Sequence, residues 1–320
     1  MTKPVRQLAM LGAVLACAAA PAQAQRYPAK TIEIVVSYAA GGSTDLIARA
    51  IAQKLQDRLG QPVVVLNKPG ASGTIGATLA ARANPDGHTL YAGFTTEMAV
   101  VPQLSKNAKY SLDDFEPIAV TGIVPVVLIA SKNVRADNLR DLIEELRQAP
   151  GKYTYGGGLG SPSHIMGAWL NRIRGLGVTY IPYRGGAQGV GDVSGGHIDM
   201  FYAGVSAAKG AIDAGLVKAI ALVAEARSPA LPEVPTFKEA GVADFDLDSW
   251  CVLLAPKGTP AGIVELLKQE TAMALNDPQV RATLGAQGVA PSRSQDVRVF
   301  LAHEREKFGR VVRELGITMD

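Results

Sequence analysis

Cysteine and histidine are scarce in this sequence, with two cysteines and four histidines among 320 residues. Cys17 lies in an N-terminal segment that we expect to be removed, which leaves Cys251 alone and excludes a disulfide within the mature chain. The histidines lack the i, i+4 and H-E-x-x-H spacings of metal sites; they are His88, His164, His197 and His303. The sequence therefore predicts no metal site.

Motifs of nucleophilic catalysis and of cofactor binding are also missing. There is no G-x-S-x-G turn, and Ser206–Lys209 matches S-x-x-K without the S-D-N and K-T-G motifs of penicillin-binding enzymes. Residues 156–161 lack the third glycine of G-x-G-x-x-G, and they contain no G-K-[ST] phosphate loop. Cys251 follows Trp250 on an apolar strand, where a core thiol is expected. We therefore expect neither an enzyme nor a bound cofactor.

The first 24 residues have the pattern of an export signal. Lys3 and Arg6 precede an apolar stretch, residues 8–20. Ala22–Ala24 fits an A-x-A cleavage site, so we expect the mature chain to begin at Gln25 in the periplasm. Lipid attachment at Cys17 is an alternative that the sequence leaves open.

The remaining chain is close to neutral. Removing residues 1–24 lowers the formal net charge by two, from +3 to +1, which argues against a nucleic-acid partner. No second apolar run approaches 18 residues, so no other segment is predicted to span a membrane. With 48% hydrophobic residues, the chain is long enough for two domains with apolar cores. We expect a monomer.

Short apolar segments alternate with helical patterns almost throughout, which predicts an α/β protein with mostly parallel sheets. The predicted strands are 31–37, 62–66, 88–93, 117–121, 124–130, 152–155, 178–181, 198–203, 218–223 and 249–255. The predicted helices are 44–59, 73–83, 138–148, 162–173, 187–194, 206–214, 261–275, 278–286 and 295–315.

Two apolar stretches contain or border a proline, Pro125 and Pro256, and we expect the chain to cross between two domains there. The first domain is then discontinuous, residues 27–124 plus 251–320, and the second is an insert, residues 125–250. A cleft between two such domains is a usual place for a small ligand.

A double glycine separates the first predicted strand from the first predicted helix. Gly41 and Gly42 allow a close backbone approach, and Ser43, Thr44 and Asp45 are three candidate N-cap residues. Free amides and the positive end of a helix suit an anion. An ordinary turn capped by Asp45 is an equal alternative at this point.

Further strand-to-helix turns are rich in glycine, serine and threonine. Residues 155–164 hold four glycines within five positions, with Ser161 as N-cap and Pro162 at the first helical position. Thr95 and Thr96 offer hydroxyls after the third strand, where a surface cap is an equal alternative. Similar turns occur at residues 67–73, 183–186 and 202–204. Such a set predicts one cleft lined by backbone donors.

An ordered series of motifs resembles the Bug family, the periplasmic solute receptors of tripartite tricarboxylate transporters. The series covers the mature chain from Tyr27 to Ile317; its members are V-V-S-Y-A-A-G-G-S-T-D (35–45), V-V-V-L-N-K-P-G-A-S-G (63–73), N-P-D-G-H-T-L (84–90), G-L-G-S-P-S-H (158–164), I-P-Y-R-G (181–185) and R-S-P-A-L-P-E-V-P-T (227–236).

The resemblance implies a type II periplasmic-binding-protein fold, in which two α/β domains close on a carboxylate-bearing ligand. It implies binding residues around the first glycine pair, namely Tyr38, Ala40, Gly41, Gly42, Ser43 and Asp45. On the opposite side it implies Gly158, Gly160, Ser161 and His164, with Thr95 and Thr96 between. The candidate set is completed by Ser72, Glu97, Ala203 and Gly204.

Glu97 departs from the small hydroxyl residues that the family usually carries at the end of this loop. A carboxylate that faces an anion site repels the ligand unless the ligand also carries a cation. If Glu97 lines the cleft, the ligand is expected to contain an amino or other cationic group as well as a carboxylate; the alternative is that Glu97 points to solvent.

The resulting functional prediction is a periplasmic receptor that binds a small organic carboxylate and delivers it to the membrane permease of a tripartite tricarboxylate-type transporter. Di- and tricarboxylates, aromatic acids and amino acids all remain open as ligands. A receptor that hands its ligand-bound state to a signalling partner is an alternative, and an exported hydrolase is a weaker one.

Overall fold

The computed structural model describes residues 27–105, 108–183, 186–291 and 296–318. The predicted export signal with Cys17 and Gln25, and the Arg184–Gly185 part of one predicted turn, lie outside these residues. Within the described chain, no helix combines the length and the apolar character that a membrane crossing requires.

In the described residues, ten strands form two five-stranded sheets, and each predicted strand interval overlaps one of these strands. The strands are β1 (Ile32–Val36), β2 (Val63–Asn67), β3 (Thr89–Phe94), β4 (Phe115–Val124), β5 (Val126–Ala130), β6 (Thr154–Gly157), β7 (Thr179–Pro182), β8 (Met200–Gly204), β9 (Lys218–Val223) and β10 (Ser249–Pro256). The first sheet has the order β2-β1-β3-β10-β4 and the second β7-β6-β8-β5-β9.

The described α-helices include the nine predicted ones and one short helix that was not predicted. They are α1 (Ser43–Leu59), α2 (Thr74–Ala81), α3 (Val101–Leu104), α4 (Leu139–Gln148), α5 (Pro162–Arg174), α6 (Gly186–Ser194), α7 (Val205–Asp213), α8 (Ala261–Asn276), α9 (Pro278–Ala286) and α10 (Val297–Leu315). A π-helical turn, Thr96–Val100, precedes α3, and a 3₁₀ turn, Ala71–Gly73, precedes α2.

The sheets are mixed, so the prediction of mostly parallel sheets is wrong. The pairs β1–β2, β1–β3, β6–β7 and β6–β8 are parallel, whereas β10 pairs antiparallel with β3 and β4, and β5 pairs antiparallel with β8 and β9. The chain leaves the first sheet at Val124 and returns to it at Ser249, which pairs with Val124. Because exit and return lie at the same end of the sheet, β4 and β10 must run in opposite directions.

Apolar faces of the helices cover both sheets. Ile47, Ile51 and Leu55 of α1 are almost fully buried against Ile32 and Ile34 of β1. Burial of each such side chain contributes about 1.5–3 kcal/mol to folding. The packing fixes α1, and with it the loop between β1 and α1, on the first sheet.

A buried polar group ties α10 to β10. Trp250 Nε1 donates to Glu304 Oε2 at 2.7 Å, and Lys307 Nζ lies 2.6 Å from Glu304 Oε1. The Lys307 and Glu304 side chains are only 8% and 5% exposed. Because Lys307 neutralises the buried carboxylate, it holds α10 against the strand that returns from the second sheet.

Cys251 lies beside this tryptophan in the core. It is almost fully buried, and its Sγ is 3.7 Å from Thr44 Oγ1 at the start of α1. Burial raises the pKa of the Cys251 thiol to about 12, so the thiol is protonated at neutral pH. The prediction of a core thiol is confirmed.

Candidate functional site

The first loop, residues 37–45, ends in unsatisfied backbone donors. Gly42 is the N-cap of α1, and no side chain caps the helix. The first backbone bond of the helix runs from Leu46 N to Gly42 O at 2.9 Å. Among the described residues, the amides of Ser43, Thr44 and Asp45 therefore have no hydrogen-bond acceptor, and they point toward the glycine pair.

Asp45 stabilises this loop without capping the helix. Its carboxylate is buried and accepts hydrogen bonds from Gly41 N, Arg49 Nε and Asn67 Nδ2, each at 2.9 Å. Burial acts to raise the pKa of Asp45, but these hydrogen bonds outweigh it and hold the pKa below its usual value. The alternative of a turn capped by Asp45 is wrong, because Asp45 lies within the first helical turn and braces Gly41.

The second loop, residues 156–164, opens α5 as predicted. Ser161 is the N-cap, its hydroxyl accepts from His164 N at 3.4 Å, and Pro162 occupies the first turn. His164 Nδ1 accepts from Gly160 N at 3.2 Å, and its ring stacks on Tyr180 at 4.1 Å. Burial lowers the pKa of His164 to about 4, so at neutral pH the ring is uncharged and Nε2 carries the proton.

Packing explains most of the glycines in the second loop. A Cβ on Gly156 would lie 2.8 Å from Ile198 and Tyr183 atoms, and one on Gly157 would lie 2.7 Å from His164 N. Gly160 has a φ of +71°. Gly158 has room for a methyl group, since the atom nearest to an added Cβ, Tyr183 O, is 3.4 Å away. The richness in glycine therefore serves the strand-to-helix geometry, and Gly158 is the position free to approach a ligand.

We expect Gly157→Ala to destabilise the protein by about 1–3 kcal/mol, because the added methyl group meets the backbone of α5. Gly158→Ala is the matched control, and its free energy of unfolding should stay within about 0.5 kcal/mol of the wild type. Urea denaturation followed by circular dichroism measures both values. Equal stability of the two variants would contradict the packing explanation.

The third loop, residues 93–97, is largely committed to internal contacts. Thr95 is fully buried, and its hydroxyl accepts from Trp250 N at 2.7 Å and donates to Trp250 O at 3.2 Å. Thr96 is 5% exposed. The Thr95 hydroxyl therefore joins the end of β3 to β10.

Glu97 is fully buried beneath the loops. It therefore neither lines an open cleft nor points to solvent, the two positions considered from the sequence. Tyr38 donates to Oε2 at 2.6 Å, Phe94 N donates to Oε1 at 2.6 Å, and the Tyr91 hydroxyl is hydrogen-bonded to Oε1 at 2.9 Å. Burial raises the pKa of Glu97 to about 7, and the hydrogen bonds from Tyr38, Phe94 and Tyr91 limit the rise. With its oxygens already bonded to the protein, Glu97 presents no exposed carboxylate to a cationic group of a ligand.

The turn at residues 70–73 completes the first side. Ala71 and Ser72 have φ values of +47° and +51°, in the left-handed region that non-glycine residues avoid. Ser37 Oγ donates to Gly73 O at 2.8 Å and holds the turn in place. Such local strain is typical of ligand-binding loops.

The remaining predicted residues lie at the end of β8. Ala203 is buried within the strand and pairs with Val127. Gly204 is the N-cap of α7 and has no neighbour within 4 Å of an added Cβ. Tyr38 and Ala40 lie in the first loop, Tyr38 half-buried and Ala40 exposed.

Three structural residues of the site were missed from the sequence. Asn67 Nδ2 donates to Tyr38 O at 3.0 Å as well as to Asp45, so it joins the ends of β1 and β2. Ser37 and Tyr91 form the polar link between Gly73 and Glu97. The signal available for Asn67 and Ser37 was a polar residue at the carboxyl end of a buried strand.

A cavity of about 1040 Å³ elsewhere in the protein shares no residue with these loops. It lies between β4 and helices α8, α9 and the start of α10, with Ile118, Leu275 and Leu284 in its lining. In the described parts of the chain, no group of three or more histidine, cysteine, aspartate or glutamate side chains could hold a metal ion.

The sequence profile of the tripartite tricarboxylate transporter family receptor, TctC, matches residues 47–317. The chain belongs to this family. It is 36% identical to protein BugT of Bordetella pertussis, over 97% of this chain and 98% of that protein. This receptor is therefore a non-enzymatic component of the periplasmic binding protein class, as the ordered motifs predicted.

Solved structures of similar proteins have the same fold. An R. palustris protein with adipate is 31% identical, with a TM-score of 0.82 over 91% of this chain and 99% of that one. MatC from Rhodopseudomonas palustris with bound malate is also 31% identical, with a TM-score of 0.79 over 89% of this chain and 100% of that one. The receptor has the type II periplasmic-binding-protein fold with two α/β domains, and the predicted fold class is confirmed.

Proposed function

We propose that this receptor binds a small organic carboxylate between its two domains and delivers it to the membrane permease of a tripartite tricarboxylate-type transporter. The observation that carries the proposal is the set of amides at Ser43, Thr44 and Asp45 beside the Gly41-Gly42 turn, which have no acceptor within the described part of the chain. Three such donors at a helix N-terminus match the charge and geometry of a carboxylate.

The side chains around the loops support recognition by backbone donors and neutral groups. Arg49, a basic side chain of α1 close to the first loop, donates to Asp45 and Asn67. His164 is neutral at physiological pH because burial lowers its pKa to about 4, and its Nε2 is a donor. We infer that the amides of α1 hold one end of the ligand, while Gly158, Gly160 and the His164 ring meet the other end.

We propose that residues 27–124 plus 251–320 form one domain and residues 125–250 the other, with Pro125 between β4 and β5 at one crossing. Closure of these domains around the ligand would give the closed state its higher affinity. We also propose cleavage after Ala24, function as a monomer in the periplasm, and no nucleic-acid partner or cofactor.

Adipate and malate, the acids present in the two R. palustris structures, are natural first probes. We expect at least one acid among adipate, malate, citrate, benzoate and glutamate to raise the melting temperature, with stabilisation of about 2.7 kcal/mol at 100 times its Kd. The neutral diamides adipamide and malamide are matched controls and should have no effect. Stabilisation by the diamides alone, or by none of the compounds, would contradict the proposal.

A further inference from the structure

Glu97 connects three of the candidate binding loops through hydrogen bonds. Tyr38 of the first loop donates to one carboxyl oxygen, and Phe94 N at the start of the third loop donates to the other. Through Tyr91 and Ser37, the second oxygen also reaches the carbonyl of Gly73 in the strained turn. The side chain lies directly under that turn, since a Cβ on Gly73 would be 3.0 Å from Glu97 Cβ.

The number of hydroxyl hydrogens in this series of hydrogen bonds fits a protonated Glu97. Ser37 donates its one hydroxyl hydrogen to Gly73 O at 2.8 Å. The Tyr91 hydroxyl lies 2.7 Å from Ser37 Oγ and 2.9 Å from Glu97 Oε1, but it has a single hydrogen for these two acceptors. An ionised Glu97 therefore leaves one contact without a hydrogen.

A proton on Glu97 Oε1 supplies the missing hydrogen of the series, while the same oxygen still accepts from Phe94 N at 2.6 Å. The carboxyl group then donates to the Tyr91 oxygen, Tyr91 donates to Ser37, and Ser37 donates to Gly73. The oxygen Oε2 still accepts from Tyr38. The neutral form thus holds the first loop and the turn at residues 70–73 at the same time.

The groups that face Glu97 remain protonated near neutral pH. They are Tyr38 after β1, Tyr91 on β3, Tyr110 after α3 and Cys251 on β10. Burial first, and then the negative charge of Glu97, raise the pKa of each of these four groups. The turn at residues 70–73 contributes no titratable side chain.

Two further charged pairs lie on elements that pack nearby, and each is internally neutralised. On α10, which packs on the π-helical turn that contains Glu97, Glu304 and Lys307 pair at 2.6 Å. In the first loop, Asp45 pairs with Arg49 at 2.9 Å. Among the described residues, Glu97 instead bonds to two tyrosine hydroxyls and a backbone amide, with no basic side chain in hydrogen-bond contact.

We propose that Glu97 is a positioning residue that takes up a proton when the receptor binds its carboxylate ligand. This inference rests on the proposed function. An anion at the N-terminus of α1 would be bound by the same loop, residues 37–45, that contains Tyr38, the donor to Glu97. In a poorly solvated site its charge would disfavour a second negative charge on Glu97. The neutral form also keeps the Gly73 turn tied to the first loop.

The sign of the pH dependence follows from proton linkage. Because the complex binds more protons than the free receptor, affinity increases as pH falls, by at most about tenfold per pH unit for one proton. Burial raises the pKa of Glu97 in the free receptor to about 7. The change is therefore expected between about pH 6.5 and about pH 8.5, where adipate and malate are themselves fully ionised.

Isothermal titration calorimetry with adipate or malate tests the inference. In two buffers of different ionisation enthalpy, the wild type should take up a fraction of a proton per ligand, and Kd should rise at least about fivefold from pH 6.5 to 8.5. Glu97→Gln should bind without proton uptake and with a Kd constant within about twofold. A residue with a merely structural role would change Kd equally at every pH.

Glu145→Gln is the matched control. Glu145 is also buried and also accepts from a tyrosine, Tyr153, at 2.5 Å. It lies on α4, however, the helix that follows β5 of the second sheet. This variant should keep the proton uptake of the wild type. Proton uptake that persists in Glu97→Gln, or that is absent from the wild type, would overturn the inference.

A direct titration separates this inference from the proposed function. The carboxyl ¹³C resonance that disappears in Glu97→Gln should titrate in the ligand-free wild type with a midpoint near 7. If no acid on the panel binds, the proposed ligand class fails, while the titration still measures the proton on Glu97. A midpoint below about 5, close to an ordinary glutamate, would overturn the role of Glu97 whatever the ligand is.

Discussion

Gly42→Val is expected to weaken ligand binding about 100-fold while the fold stays intact, a loss of about 2.7 kcal/mol. Gly42 has φ −76° and ψ 166°, an extended conformation that valine adopts easily. An added Cβ meets nothing closer than Ala39 O at 3.7 Å. The isopropyl group would stand beside the amides of Ser43 and Thr44 and take the space of the carboxylate, so roughly two charge-assisted hydrogen bonds would be lost.

Calorimetric titration with the acid that stabilises the wild type measures this loss, and the melting temperature reports the fold. Gly262→Val is the matched control, because Gly262 also lies at the start of a helix, α8, and has no neighbour within 4 Å of an added Cβ. It should bind like the wild type. Unchanged affinity in Gly42→Val would place the ligand away from the first loop.

Lys307→Met should destabilise the protein by about 3–5 kcal/mol, because it leaves Glu304 as an unpaired buried carboxylate. Lys307 Nζ lies 2.6 Å from Glu304 Oε1 and 3.4 Å from Asp246 Oδ1. Its positive charge also opposes the rise that burial, Asp246 and Glu304 cause in the pKa of Asp248, which is about 6. Removal of the lysine therefore concentrates negative charge where β10 enters the first sheet.

An exposed lysine in a similar pair provides the comparison. Lys209 pairs with Asp213 at 2.8 Å on the surface of α7, with side chains 40% and 57% exposed. Lys209→Met should change the free energy of unfolding by less than about 0.5 kcal/mol, since exposed pairs contribute little. Urea denaturation at pH 7 measures both variants. Similar values for the two would show that the Glu304 carboxylate is satisfied without Lys307.

The sequence was sufficient for most of the secondary structure because hydrophobic periodicity is a local property. The strand at residues 31–37 and the helix that follows Gly42 were found from apolar spacing and turn residues alone. Ser161 was identified as an N-cap from its place before Pro162, and its hydroxyl does cap α5. The order of motifs also predicted the family and its fold.

Strand direction and the position of Glu97 could not be predicted in this way. A buried strand has the same apolar pattern whichever way it runs, so the antiparallel pairing of β10 with β4 depends on where the chain returns. Glu97 is buried because Tyr38, which is 59 residues away, donates to it. Gly156 and Gly157 resembled part of a ligand-binding loop. In the structure they are glycines because a Cβ at either position would clash with Tyr183 or His164.

The buried thiol of Cys251 has a practical consequence for measuring domain closure. It is the one cysteine outside the predicted export signal, and burial with a pKa of about 12 leaves it unreactive toward maleimides. A chain without the predicted export signal is therefore expected to behave as cysteine-free in labelling reactions. Two cysteines introduced at exposed positions, such as Ile75 beside the first sheet and Leu216 beside the second, would accept a dye pair without background. Single-molecule energy transfer between those dyes could then follow opening and closing in the unaltered core.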